Sequence, residues 1–369
     1  MSRKVKAALY PIYSDTLPIV RYIIRYRSDI EVVELLSPYG SGVCGKDASL
    51  LDNRELLGMQ VHPYQMANTN LWDEVYLLEH ETIGMTNGSK YESLYSPMVR
   101  IAQDSNRRIL KYPYDLSNII SINEYAENLF NVSVSNLSKV ASPKRIKAFL
   151  ILVVGAISES STFETALNIY GELNKHIHAV AFSSSKNAGI CGMFSLYSLL
   201  HECQIPSEQK ALILANEIDK KSKENQADII LLHLDEAIMP LNETKTNGFG
   251  IVPYIVSQVV IPDYCICCLP YGYSNPLFIE DFGHELEGRF GFCPDHWQIN
   301  NSIIDYSSLL SPRGVGMIHV PICDVVTNVN SMIEKGFDIG CDVLPTYLNK
   351  TIDKILLEFS ESQLVASIL

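Results

Sequence analysis

Residues Ile151-Leu-Val-Val-Gly-Ala-Ile-Ser-Glu-Ser-Ser-Thr-Phe-Glu-Thr-Ala166 decide how this chain is read. An apolar run long enough for a buried strand meets a glycine, then a serine-rich turn, then the start of a helix. That is the layout of a phosphate-binding P-loop, in which Gly, four residues, Gly, Lys and Ser or Thr follow one another. On that pattern Gly155 takes the first position and Thr162 the last, while Ser160 and Ser161 stand where the second glycine and the lysine belong.

The departure has a specific chemical meaning. Backbone N–H groups and a helix N-terminus can still face an anion. The lysine that would place a point charge on the β/γ oxygens is missing, while a threonine hydroxyl of the kind that binds Mg²⁺ is kept. Gly155, Ser158, Ser160, Ser161 and Thr162 form the expected cradle, and Lys186 in Ser183-Ser-Ser-Lys-Asn-Ala-Gly189 is the candidate replacement cation. A second reading needs no ligand: Ser161-Thr-Phe-Glu164 also fits a capping box, which only starts a helix.

Downstream, Ile229-Ile-Leu-Leu-His-Leu-Asp-Glu236 is a hydrophobic strand ending in acids, where P-loop proteins place the residue that holds Mg²⁺. Asp235 is the residue expected to hold a cation. The run Ala237 to Gly250 is then a polar loop at the strands' carboxyl ends, where open α/β sheets bind ligands. Asn247, Gly248 and Gly250 are its candidate substrate-binding positions, since they let the backbone approach a ligand closely.

Working outward, the N-terminal third alternates strand and helix signals: strands at Lys4–Tyr10, Ile30–Leu36 and Trp72–Leu78, helices at Leu17–Tyr26 and Tyr91–Lys111. This rhythm predicts a parallel, Rossmann-like sheet. The fold class is α/β, with two Rossmann-like parallel-sheet domains, the second a degenerate P-loop domain. The expected boundaries are 1–116 for the first, 117–145 for a helical connector, 146–275 for the second and 276–369 for a C-terminal extension.

Composition excludes several classes. A formal net charge of -13 argues against a nucleic-acid surface and against anionic membranes. No apolar run reaches membrane-spanning length, and residues 1–10 are expected to enter a first strand rather than to serve as a signal peptide. Nine cysteines at irregular spacing fit a reducing cytoplasm. Cys265, Cys267 and Cys268 read as core residues of a strand, and Cys293-Pro-Asp-His296 as a turn, so no metal site is expected.

The pieces Val153-Val-Gly155 with its serine loop, Asp228-Ile-Ile-Leu-Leu232, Ala237-Ile-Met-Pro240, Asn247-Gly-Phe-Gly250 and Pro262-Asp263 together resemble the peptide maturation system proteins found beside radical SAM enzymes and bacteriocin-like precursor peptides. That family is similar in turn to P-loop proteins with a Rossmann-like N-terminal domain. The resemblance implies a cytoplasmic accessory protein in the maturation of a ribosomally synthesised, modified peptide. A precursor peptide and a peptide-modifying enzyme would be its partners, and ATP or GTP with Mg²⁺ the ligand of the loop if one binds. Two alternatives stay open: an NTP-dependent enzyme activating a peptide or small molecule, and a ligand-free peptide-binding scaffold. A homodimer is compatible with the peptide-maturation reading and with both alternatives.

Overall fold

The computed structural model describes residues 3–52, 54–80, 88–111, 146, 148–158, 160–243, 245–308, 316–341 and 344–368. The expected connector, 117–145, lies outside the described residues. The chain divides into two units: one takes residues up to 131 together with Lys186–Phe194, the other takes the remainder.

In the first unit, β1 (Val5–Tyr10), α1 (Leu17–Tyr26), β2 (Ile30–Ser37), β3 (Val61–Pro63), β4 (Glu74–Leu77), α2 (Gly88–Asp104) and β5 (Arg108–Lys111) follow in order. The strands form a sheet ordered β3-β2-β1-β4-β5, parallel at every pairing. This is the Rossmann order, with its switch point between β1 and β4. The helix expected over Tyr91–Lys111 ends early. Asn106 takes a left-handed φ of 52°, and Arg108–Lys111 turn back to pair with Glu74–Leu77 as an edge strand. A run of Arg-Ile-Leu-Lys is too short for periodicity to separate strand from helix. Trp72, Tyr95, Met98, Val99 and Ala102 close the core over this face of the sheet.

The second unit is built on β6 (Phe149–Gly155), α3 (Thr162–Leu173), β7 (Ala179–Ser183), β8 (Phe194–Ser195), α4 (Tyr197–His201), α5 (Ser207–Glu224), β9 (Ile229–Ala237), α6 (Ile251–Ser257) and β10 (Tyr264–Leu269). It continues through α7 (Pro276–Phe290), β11 (His296–Ile299), the antiparallel pair β12 (Ser302–Asp305) and β13 (Gly316–His319), α8 (Ile322–Glu334), β14 (Ile339–Cys341) and α9 (Pro345–Ile368). Its main sheet runs β14-β11-β10-β6-β9-β7-β8. Residues 276–369, expected as an extension, therefore supply two strands of this sheet. The short runs His296–Ile299 and Ile339–Cys341 gain their identity from parallel pairing with β10 and with each other, which no local pattern announces.

All residues of β6 and β10 are buried. Helices on both faces of a parallel sheet leave no solvent side, so these strands read as continuous apolar runs. Among the described residues no helix is long and apolar enough to cross a membrane.

Candidate functional site

The turn after β6 shows why its first residue is glycine. A Cβ at Gly155 would lie 2.5 Å from Thr162 Cγ2 and 2.9 Å from Ser160 Cβ, so the loop folds directly onto the α-carbon. Three backbone bonds anchor it: Ala156 N donates to Cys268 O, and Ile238 N and Met239 N donate to Gly155 O and Ala156 O, each at 3.0 Å. Ser160 is fully buried inside the turn, its Oγ accepting from Ile157 N at 3.2 Å. Ser158 stands exposed in the same loop.

Ser161 precedes α3 in a left-handed conformation, φ 57° and ψ 35°, and makes no side-chain cap bond. The capping box expected over Ser161–Glu164 is therefore not formed at its serine end. Capping residues hold extended backbone angles, which aim their oxygen at the first-turn amides. The left-handed angles turn this oxygen away, and the Ser161 hydroxyl accepts instead from Asn300 Nδ2 at 3.1 Å.

The Thr162 hydroxyl meets a histidine. His233 on β9 is completely buried, with Nε2 at 3.0 Å from Thr162 Oγ1 and Nδ1 at 2.8 Å from Ser183 Oγ. Burial pulls its pKa down to about 3, so the ring is neutral and carries one proton. Ser183 Oγ already accepts from Ser185 N at 3.0 Å. A ring proton on Nδ1 would leave the buried Ser183 proton without an acceptor among the described residues, at a cost of about 1–3 kcal/mol. The proton accordingly sits on Nε2 and is donated to Thr162, while Ser183 donates to Nδ1. Thr162 keeps its own proton for an acceptor other than the ring.

Beyond His233 the strand is irregular. Val153 pairs with His233 and Gly155 with Ala237, so β9 carries two extra residues at this point. Bulges re-aim side chains, and past this one the Glu236 carboxylate and the Asp235 backbone amide meet Ser184, just beyond the end of β7. Ser184 Oγ donates to Glu236 Oε2 at 2.6 Å and accepts from Asp235 N at 2.8 Å. His201 Nε2 lies 2.6 Å from Glu236 Oε1, its ring against Tyr197. Asp235 Oδ1 is 4.0 Å from His233 Nε2. The structure thus gathers residues 155–158 and 160–162, Ser183, Ser184, His233, Asp235 and Glu236 at the carboxyl ends of β6, β7 and β9. His233 escaped the sequence reading because it interrupts an apolar run 71 residues from Thr162.

Lys186 belongs to the first unit, where its Nζ lies 3.2 Å from Glu79 Oε1. Its neighbour Asn187 clasps the backbone of Glu79 with both amide atoms, accepting from Glu79 N at 2.7 Å and donating to Glu79 O at 3.0 Å. Also in the first unit, His80 Nδ1 is 2.7 Å from Asp15 Oδ2 and its ring stacks on Tyr13. Asn247, Gly248 and Gly250 all have positive φ, in the loop that leads into α6.

The cysteines sit as their setting dictates. Cys265, Cys267 and Cys268 are buried in β10, and burial pushes the thiols of Cys265 and Cys267 well up. His296 is engaged by Asp338 at Nδ1 and by Gln298 and Thr351 at Nε2. Among the described residues no group of three or more His, Cys, Asp or Glu side chains is placed to hold a metal ion.

No protein-family model matches the chain, and no curated protein matches it either. Among solved structures it is similar in fold to a DUF1611 family protein from Anabaena variabilis, with a TM-score of 0.59 and 11% identity, over 96% of this chain and 100% of that one. Two partial likenesses are lower. One is a putative plasmid partition protein from Borrelia burgdorferi bound to AMPPNP, at TM-score 0.33 and 10% identity over 59% of this chain and 100% of that one. The other is a nucleotide-binding protein from Archaeoglobus fulgidus in complex with ADP, at TM-score 0.31 and 10% identity over 57% and 88%.

Proposed function

We propose that the turn from Gly155 to Thr162 binds the phosphate groups of a nucleotide without rapid phosphoryl transfer, and that the chain is an accessory protein in the maturation of a ribosomally synthesised peptide. The observation that carries the first part is the Thr162–His233 hydrogen bond. A neutral imidazole donates to the oxygen that a P-loop threonine offers to Mg²⁺, and the position of the catalytic lysine holds Ser161. The retained groups suit recognition: the amides at the start of α3, the Thr162 proton, and the Asp235 carboxylate for a divalent ion. The missing groups are those that stabilise charge in the transition state, and loss of one such contact costs on the order of 10²–10³ in rate.

Support for the second part is the sequence resemblance to peptide maturation system proteins. The first part is tested by calorimetric titration with ATP and GTP, with and without Mg²⁺, alongside steady-state phosphate release. Binding with negligible turnover is expected. Phosphate release at ordinary NTPase rates, abolished by Thr162→Ala, would instead establish the enzyme. The second part is tested by co-purification with a precursor peptide encoded beside the gene.

A further inference from the structure

Four consecutive residues in the second unit adopt left-handed backbone angles: Asn247, Gly248, Phe249 and Gly250, with φ of 49°, 61°, 53° and 70°. Left-handed angles occur singly as a rule, at glycine or asparagine, because a Cβ meets the following carbonyl. Two glycines and an asparagine adopt them at little cost. Phe249 does not, and a bulky residue here is a true outlier.

The turn is pinned from several sides. Phe249 N donates to Thr246 O at 2.8 Å, Arg289 Nη2 donates to Phe249 O at 3.0 Å, and Asn247 Nδ2 donates to Met239 O at 3.1 Å. At Gly250 a Cβ would lie 2.3 Å from Ile238 O. None of these contacts needs a side chain at position 249, and glycine would satisfy all of them without strain. The phenylalanine does not repay the strain by burial either, since it is 58% exposed. Strain that the surroundings impose at such a site points to a use.

The neighbours extend the same surface. Ile251 and Tyr254, one helical turn apart on α6, are 56% and 51% exposed. Scattered apolar side chains on a surface are ordinary, but a contiguous set marks an interaction site. Helix α6 packs beside α7. The exposed face of α7 carries Leu277, Glu280, Asp281, His284 and Glu285, at helical spacing. Its one arginine, Arg289, is committed to Glu285 at 3.0 Å and to the Phe249 carbonyl. The exposed aromatic and aliphatic side chains thus lie beside a helix face on which Glu280 and Asp281 have no cationic partner among the described residues.

We infer that Phe249, Ile251 and Tyr254, with the acidic face of α7, form a docking surface for a peptide segment that carries large apolar side chains among lysines or arginines. A second copy of this chain is a poor occupant, because two chains of formal charge -13 repel. The inference is independent of the loop after β6 and would stand if that loop bound nothing.

The test is fluorescence anisotropy on the full chain with three short labelled peptides, alternating Leu with Lys, Leu with Glu, and Ser with Lys. The Leu/Lys peptide should bind at least about tenfold more tightly than either control. Phe249→Gly and Tyr254→Ala should each weaken it about tenfold or more, as for an aromatic anchor. Phe249→Gly should also leave the melting temperature unchanged or raised, which separates lost docking from lost folding. Glu280→Gln with Asp281→Asn should weaken binding and flatten its salt dependence. Absence of binding, equal binding of the Leu/Glu peptide, or Leu/Lys affinity indifferent to Phe249→Gly would each overturn the inference.

Discussion

His233 Nε2 stands 3.0 Å from Thr162 Oγ1, and this bond joins the first residue of α3 to the interior of β9. Through Nδ1 the same ring reaches Ser183 at the end of β7. One buried imidazole therefore fixes three segments at the carboxyl edge of the sheet, and its neutrality is a consequence of that burial.

Acid should reveal this histidine. The unfolded chain takes up a proton near the ordinary histidine pKa of about 6.5, while the folded state resists until about 3. Between those values the unfolded state binds more protons, so stability falls as pH falls, by up to about 1.4 kcal/mol per pH unit for this group. Urea unfolding of the native protein and of His233→Gln across that window should show a shallower pH slope in the variant. Equal slopes would mean that the ring is not held neutral.

Two substitutions in one turn should act in opposite directions. Gly155→Ala forces a Cβ to within 2.5 Å of Thr162 Cγ2 and should destabilise by about 1–3 kcal/mol. Ser161→Gly releases a left-handed residue from its steric cost and should stabilise by up to about 1 kcal/mol, less what the lost Asn300 bond contributes. Denaturant midpoints at constant slope are the readout.

A matched pair of glycines near α6 offers a sharper contrast. Gly248 has open space around it, so Gly248→Ala should cost about 1 kcal/mol from its φ of 61° alone. At Gly250 the new Cβ would also strike Ile238 O at 2.3 Å, and Gly250→Ala should cost at least about twice as much. Thermal melts of the two variants should separate clearly. Coincident melts would show that the carbonyl can move aside.

Thiol labelling should follow burial. Cys203 and Cys323 are exposed and should react readily with a disulfide reagent in the folded protein, while exposed Cys293, its thiol pushed up by partial burial and by Glu287 and Asp295, should react more slowly. Cys191, Cys265, Cys267, Cys268 and Cys341 are buried and should react only on unfolding, since the thiolate is the reactive form and burial disfavours it. Fast labelling of Cys267 in native buffer would contradict its place in β10.

The sequence by itself determined the elements with long, clean patterns. Leu17–Tyr26 announced its helix by periodicity, and the apolar runs in β6, β9 and β10 announced buried parallel strands, because both faces of that sheet are covered. The glycine turn at 155 was legible too, since only glycine tolerates a chain folded so tightly onto its α-carbon. What the tertiary structure decided was everything that depends on partners distant in sequence. Short strands such as Arg108–Lys111, His296–Ile299 and Ile339–Cys341 exist because a neighbouring strand completes their hydrogen bonds. Ser161 lost its capping role to a left-handed turn and a bond from Asn300, and Lys186 found its carboxylate in Glu79. His233 was invisible as a functional residue because periodicity records only that a position is buried. Which polar atom it meets there is set by the order in which β6, β9 and β7 lie side by side.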